Sequence, residues 1–432
     1  MHVLVRQPRA VLTVLSLAVF VCACLSPLDL SAATVVVGTC RNLVTFSTIQ
    51  AAINASPSGS TVDICPGTYS EQLTINKSIT LNGVSLTTGG VTSDAAIIVP
   101  PSGGLIQNAT DVDTGNPIAA QIFVQNPATT VNLTNLTVDG TGNGIAACTP
   151  DLQGILYQNA SGTINHVAVR NQTPAPADGG CQIGEGIYVQ TGTGFASTVT
   201  VENSSVHNYN KNGITGNDAN TTLIATGNYV QGAGVVPVPG AAQNGIQLGF
   251  GAKGTIKGNT VIDNIYGDAT IAASADILLY DTAESSGILV SANTAGNSQI
   301  PIALYTLGDD GSNFGDGVSV TNNKIFGTSV YDAIDVCTNN NTVTGNTIFN
   351  SAESGVHLDA SCGAFFGGQT GNSNSVTGNT VLESACAGIL ADAGTAGNTT
   401  TPDTYFTVPT TIASSCSVAP RGKTAHKYSP AR

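Results

Sequence analysis

The sequence predicts an all-β solenoid, a chain that winds once per repeat and stacks short parallel strands. Three observations carry this: composition, two recurring phrases, and the spacing between them. The 432 residues are rich in Thr, Val, Ile, Asn and Gly (50 glycines), while only 9% are charged and 5% aromatic. That balance favours strands and tight turns over helices. One phrase recurs as GNYV (227–230), GNTV (258–261), SANT (291–294), NNKI (322–325), GNTI (345–348) and GNTV (378–381). A second alternates with it as GIYV, GITG, GIQL, DILL, PIAL, AIDV, GVHL and GILA. The apolar residue opening the second phrase serves as an anchor: Ile122, Ile155, Ile187, Ile214, Ile246, Ile277, Ile302, Ile334, Val356 and Ile389. Successive anchors lie 22 to 33 residues apart. At about 3.3 Å per residue, the minimum traces roughly 70 Å, one circuit of three short strands and three turns. The surplus in longer repeats falls in loop-like stretches such as GAGVVPVPGAAQ and GAFFGGQTGNSN. Adjacent coils would stack about 4.8 Å apart.

At the N-terminus, Arg6 and Arg9 precede the apolar run AVLTVLSLAVFVCACL, and SPLDLSAA then ends in small residues. This reads as a secretory leader, residues 1–33, cleaved after Ala33. A lipoprotein cleavage before Cys24 competes with it, weakened by Cys22 two residues earlier. The run is short for a membrane anchor, and no other stretch could span a bilayer. The expectation is therefore a secreted or periplasmic protein, free of the membrane after cleavage and monomeric. Its formal net charge of −14 excludes the basic footprint of a nucleic-acid binder.

The next segment is FSTIQAAINASPSGSTVDICPGTYSEQLTINKSITLNG (46–83). Phe46, Ile49, Ala52 and Ile53 place an apolar face at helical spacing. Val62 with Ile64, Leu73 with Ile75, and Ile79 with Leu81 alternate as strands. This stretch resembles the opening of right-handed parallel β-helix proteins of the pectin-lyase-like superfamily, in which a V-x-I-x-PGTY strand and turn begin the stack. The resemblance extends over nearly the whole mature chain. It implies a capping helix on the first coil, a β-helix domain over 34–400 with ten or more coils, and a C-terminal tail over 401–432. It leaves activity open, because the superfamily holds lyases, hydrolases, epimerases and proteins without known chemistry.

The Asn of the first phrase (Asn203, Asn228, Asn259, Asn293, Asn323, Asn346, Asn379) recurs once per coil. It predicts an amide ladder, at a position where Asn tolerates a left-handed turn. Eight cysteines follow the leader. Their even number and the oxidising compartment predict disulfides, and zinc finds neither a CxxC pair nor enough His. Coil equivalence suggests Cys148 with Cys181 and Cys337 with Cys362, while Cys40–Cys65 and Cys386–Cys416 would tie down the two ends.

In each anchor strand the anchor and the residue two later should face the core, and the residues one and three later should face outward. The outward columns of the last coils collect Tyr280, Tyr305, Asp335, His357, Asp359 and Asp392, with Asp309 and Asp310 in an adjoining turn. Paired carboxylates roughly 5–10 Å apart suit glycoside hydrolysis. Asp309, Asp310, Asp335, His357 and Asp359 are thus the candidate catalytic residues, and Tyr280, Tyr305 and Asp392 the candidate substrate contacts. No cofactor is expected, with Ca²⁺ on the stacked carboxylates as the alternative. The plainer reading is that these side chains only solvate a sheet face. The family comparison is mixed. GDDG (308–311) and the His of SGVHLD look like the paired Asp and the His of polygalacturonase-type hydrolases, but NTD and RIK phrases are absent. Pectate lyases use an Arg base, and Arg41, Arg170, Arg421 and Arg432 all lie outside the acidic cluster. Copper-accessory relatives need Met ligands, and the chain has only Met1. Three readings follow: a polysaccharide-binding β-helix, a glycoside hydrolase, and a passive structural or adhesion rod.

Overall fold

The structure, a computed structural model, describes residues 32–88, 91–93, 96–175, 180–284, 287–306, 315–360 and 371–416. Residues 1–31 of the expected leader, Asp309, Asp310, Cys362 and the end of the tail lie outside the described residues.

Every predicted anchor stacks on its predicted neighbour. Ile122 pairs with Ile155, Ile155 with Ile187, Ile187 with Ile214, and Ile214 with Ile246. The series continues through Ile277, Ile302, Ile334 and Val356 to Ile389. Leu73 precedes it and Ile412 follows it, so the stack runs past residue 400. Among the described residues these strands belong to one of three long sheets of 13, 13 and 12 strands. Each turn of the chain contributes one strand to each sheet, and consecutive turns pair in parallel. This is a parallel β-helix. The anchors and their i+2 partners, with the Val and Ile of the other two sheets, form one continuous apolar core.

The helix Ile49–Ala55 buries Ile49, Ala52 and Ile53, starts at the N-cap Thr48, and packs against Thr34–Val37, Thr61–Ile64 and Leu73–Ile75. The Glu71 carboxylate accepts from the Ile49 and Gln50 amides (2.8 and 2.9 Å), satisfying donors that a helix start leaves open.

The amide ladder forms from Asn228 to Asn379. Each Nδ2 donates to the next coil's Oδ1 at 2.9–3.0 Å, and each Oδ1 also accepts the preceding rung's backbone N–H. Two expectations need correction. Asn203 is not a rung: Ser204 takes that place, and Asn203 is exposed with φ +49°. The rungs themselves are not left-handed; the residue before each is, as at Gly258 (φ +66°) and Asn322 (φ +56°).

Disulfides join Cys40–Cys65, Cys148–Cys181 and Cys386–Cys416, with Cα separations of 5.6, 5.0 and 5.7 Å. Cys337 is also disulfide-bonded; its expected partner Cys362 is outside the described residues.

Candidate functional site

The second sheet carries the site, and one corner of each coil decides which side chains reach it. Strict alternation would send the residue two before each anchor into the core. The intervening residue, glycine in six of the ten coils, prevents this. A Cβ on Gly213 would lie 2.5 Å from Val230 Cγ1 and 2.6 Å from the Gly245 carbonyl oxygen. This position therefore turns inward, where only glycine fits at such closeness. The residue before it turns outward: Asn212 donates to Thr215 Oγ1 and Gln247 Oε1, both on the outer face. In the coil of Ile334 the small Ala333 takes the inward corner and joins the core, so Asp332, two before the anchor, reaches the outer face; the sequence reading missed it.

Asp335 and His357 are direct cross-coil partners. Asp332 Oδ2 lies 2.9 Å from His357 Nδ1. Asp332 Oδ1 accepts from the Ser354 amide at 2.9 Å and from the Ser354 hydroxyl. On the far side of the ring, His357 Nε2 is 3.4 Å from Asp392 Oδ1. One donor atom from each of His357, Asp359 and Asp392 fits within 4.8 Å of the others. Asp332, Asp335 and Asp359 are each 1% exposed and His357 8%, whereas the Asp392 side chain is 29% exposed.

The expectation of a solvated sheet face is thus overturned. Polar and apolar members of the outer columns are buried alike, Leu156, Thr215, Gln247 and Leu278 among them. Apolar packing over the face does this: Ala109, from a segment before the strand Pro117–Gln125, clusters with Ile118, Phe123, Leu156 and Tyr188, and Tyr331 clusters with Leu278, Tyr280 and Tyr305. Tyr280 and Tyr305 stack on each other, with centroids 5.8 Å apart and planes at 18°. Both are buried, so their faces are spent within the protein.

Electrostatics tie the cluster together. Burial disfavours the His357 imidazolium, but the Asp332 and Asp359 carboxylates and the bond to Asp332 outweigh it and hold its pKa well above the ordinary value. Burial likewise opposes Asp332 ionisation. The His357 charge and the bonds from His357 and Ser354 win, so its pKa falls below the usual carboxylate range. Burial, then the Asp335 and Asp359 charges, push the Tyr305 phenol upward. The described arginines sit elsewhere, Arg41 on Asp63 at 3.1 Å and Arg170 on Asp139 at 2.8 Å. The cluster can hold a proton on His357 beside ionised carboxylates, accept hydrogen bonds, or ligate a cation.

A second polar group, also unread in the sequence, lies on earlier coils. Asp151 and Glu185 interact electrostatically, and the buried Lys211 interacts with Glu185 and donates to the Ala242 carbonyl at 2.8 Å. Burial pushes Asp151 up to about 7, against interactions with Glu185 and Gln153. Burial and then the Asp151 charge raise Glu185 well above its usual value, and burial lowers Lys211 to about 7. Asp151 lines a cavity of about 320 Å³ with Asp111, Pro117, Ile118, Cys148 and Ile183.

No protein-family model matches the chain, and no curated protein matches it in sequence. Solved structures do match in shape. The GH136 lacto-N-biosidase from Eubacterium ramulus aligns with a TM-score of 0.53 at 11% identity, covering 88% of this chain and 68% of that one. The catalytic domain of a GH87 alpha-1,3-glucanase, in complex with nigerose, aligns with a TM-score of 0.50 at 12% identity, covering 88% and 67%. Fold and comparison agree on the class: a parallel β-helix, here bearing a buried Asp–His cluster on one sheet face.

Proposed function

We propose that this is a secreted parallel β-helix protein that engages extracellular carbohydrate through the acidic cluster around His357. The observation that carries the reading is convergence. Consecutive coils bring Asp332 and Asp335, His357, and Asp392 onto one face, with Asp392 at the solvent edge. Carbohydrate as the ligand class is supported by the two neighbours of like fold, named a lacto-N-biosidase and an alpha-1,3-glucanase. Four aspartates against one histidine, on a chain of net charge −14, favour a neutral glycan over a polyuronate. In this reading residues 1–33 are the leader, the chain winds right-handedly over ten or more coils, the helix at 49–55 closes its first coil, and residues 401–432 cover its last.

Glycoside hydrolysis is the second reading. It is favoured by the proton-holding His357 between carboxylates, which sets a protonated group beside an ionised one as acid–base hydrolysis requires. The test is a panel of neutral and anionic polysaccharides offered to wild type and Asp392→Asn, scored for retention and for released sugar. Retention of neutral glycans that weakens in the variant supports engagement, and release adds hydrolysis. Equal behaviour of the two proteins, or no retention of any glycan, would favour a passive rod.

A further inference from the structure

The geometry points to a divalent metal site at His357 Nε2, Asp359 and Asp392, of a kind that takes Zn²⁺ or Mn²⁺ in preference to Ca²⁺. This does not depend on the carbohydrate reading. Acidic clusters alone are common, and the imidazole is what sets this one apart. His357 is 92% buried by residue surface (8% exposed), and its Nε2 makes no hydrogen bond. That nitrogen is aimed at Asp392 Oδ1, 3.4 Å away. A charge-assisted N–H···O bond would be about 2.7–2.9 Å. By contrast, two ligands on one tetrahedral ion with bonds of about 2.1 Å lie roughly 3.4 Å apart. The Asp359 donor completes a triplet in which all atoms fall within 4.8 Å, so a small inward movement brings three ligands onto one centre.

The ring is also oriented as a metal ligand is. Asp332, buried and itself held by Ser354, takes Nδ1 at 2.9 Å. With a carboxylate holding the proton on the distal ring nitrogen, a cation that displaces the Nε2 proton finds that nitrogen already oriented to ligate. A nitrogen donor with two carboxylates suits borderline first-row ions, while Ca²⁺ seeks six to eight oxygens. Cys337, also close to Asp359, is disulfide-bonded and offers no thiolate.

The experiment uses the full chain stripped with EDTA and titrated with Zn²⁺, Mn²⁺, Ca²⁺ and Mg²⁺ by calorimetry, with metal content checked by mass spectrometry. Wild type should take up one equivalent of Zn²⁺ at micromolar affinity or tighter. His357→Gln should weaken it at least about 100-fold, and Asp332→Asn about 10- to 100-fold. Asp392→Asn, altered at a partly exposed residue, keeps the test open if a buried variant fails to fold. Co²⁺ should give intense tetrahedral visible bands that His357→Gln abolishes. Absence of stoichiometric Zn²⁺ or Mn²⁺ uptake, uptake unchanged in both His357→Gln and Asp392→Asn, or binding of Ca²⁺ alone would each overturn the site.

Discussion

Replacing one rung of the amide ladder should cost several times more than replacing a surface asparagine one corner away. Asn293 is fully buried. Its Oδ1 accepts from the Asn259 amide at 2.9 Å and from Asn259 Nδ2 at 3.0 Å. Its Nδ2 donates to the Ile256 carbonyl at 2.9 Å and to Asn323 Oδ1 at 3.0 Å. In Asn293→Ala the Asn259 amide, one Asn259 Nδ2 proton and the Ile256 carbonyl all lose partners in a dry interior. At about 1–3 kcal/mol for each unsatisfied buried group, the loss is about 3 kcal/mol or more. Asn203 offers the contrast: it is exposed, holds φ +49°, and makes one side-chain bond, to Asn165 at 3.3 Å. Asn203→Gly, which suits that φ, should stay within about 1 kcal/mol of wild type. Guanidinium denaturation followed by circular dichroism measures the difference. Hydrogen exchange of the peptide containing Asn259 localises it, since that amide should exchange faster in Asn293→Ala. A cost below about 1 kcal/mol with unchanged exchange would refute the reasoning that the ladder's buried polar groups depend on one another.

Other outcomes follow from particular contacts. Burial keeps Asp151 and Glu185 protonated to higher pH in the native state than in the unfolded chain, whose carboxylates titrate near 4; stability should therefore fall as pH rises from about 4 to 7, by up to ~1.4 kcal/mol per unit for each proton. Asp151→Asn should flatten that limb, and denaturation midpoints across the range would show an unchanged slope if the idea is wrong. Lys211 has the opposite sign, its native pKa of about 7 lying below the unfolded value, so its contribution recovers stability from about pH 7 to 10. Gly213→Ala puts a Cβ 2.5 Å from Val230 Cγ1 and should cost about 1–3 kcal/mol in the same denaturation assay; a neutral effect would contradict the inward corner. Cys148→Ser with Cys181→Ser opens a cross-link of sequence separation 33 and should lower stability by about 3–4 kcal/mol, checked by melting with and without reductant.

The sequence made the stack legible because each coil repeats the same demand: an apolar anchor facing the core and an amide at the next corner. Once the anchors were aligned, Asp335 beside His357 followed from register alone. Asp332 was not legible, because an inward corner residue, Ala333 in that coil, breaks the two-residue alternation and reverses which side chains face out. The burial of the outer face was hidden for another reason. Segments between the anchor strands, which differ in length from coil to coil, lay Ala109 and Tyr331 over it, and no repeat encodes them. The Asp151–Glu185–Lys211 group escaped notice because its members occupy different positions in their coils, so no column collects them. Asn203 misled by one residue: its phrase NSSV places serine at the rung and asparagine at the left-handed position before it.

The most direct test of the central claim is equilibrium binding of a glycan retained by wild type, compared across wild type, His357→Gln, Asp392→Asn and Asp151→Asn. The account predicts at least about a tenfold loss in the first two variants and wild-type affinity in Asp151→Asn, about 1.4 kcal/mol or more lost only at the His357 cluster. Undiminished binding in His357→Gln and Asp392→Asn, with loss in Asp151→Asn, would contradict it and move the carbohydrate site to the cavity beside Asp151.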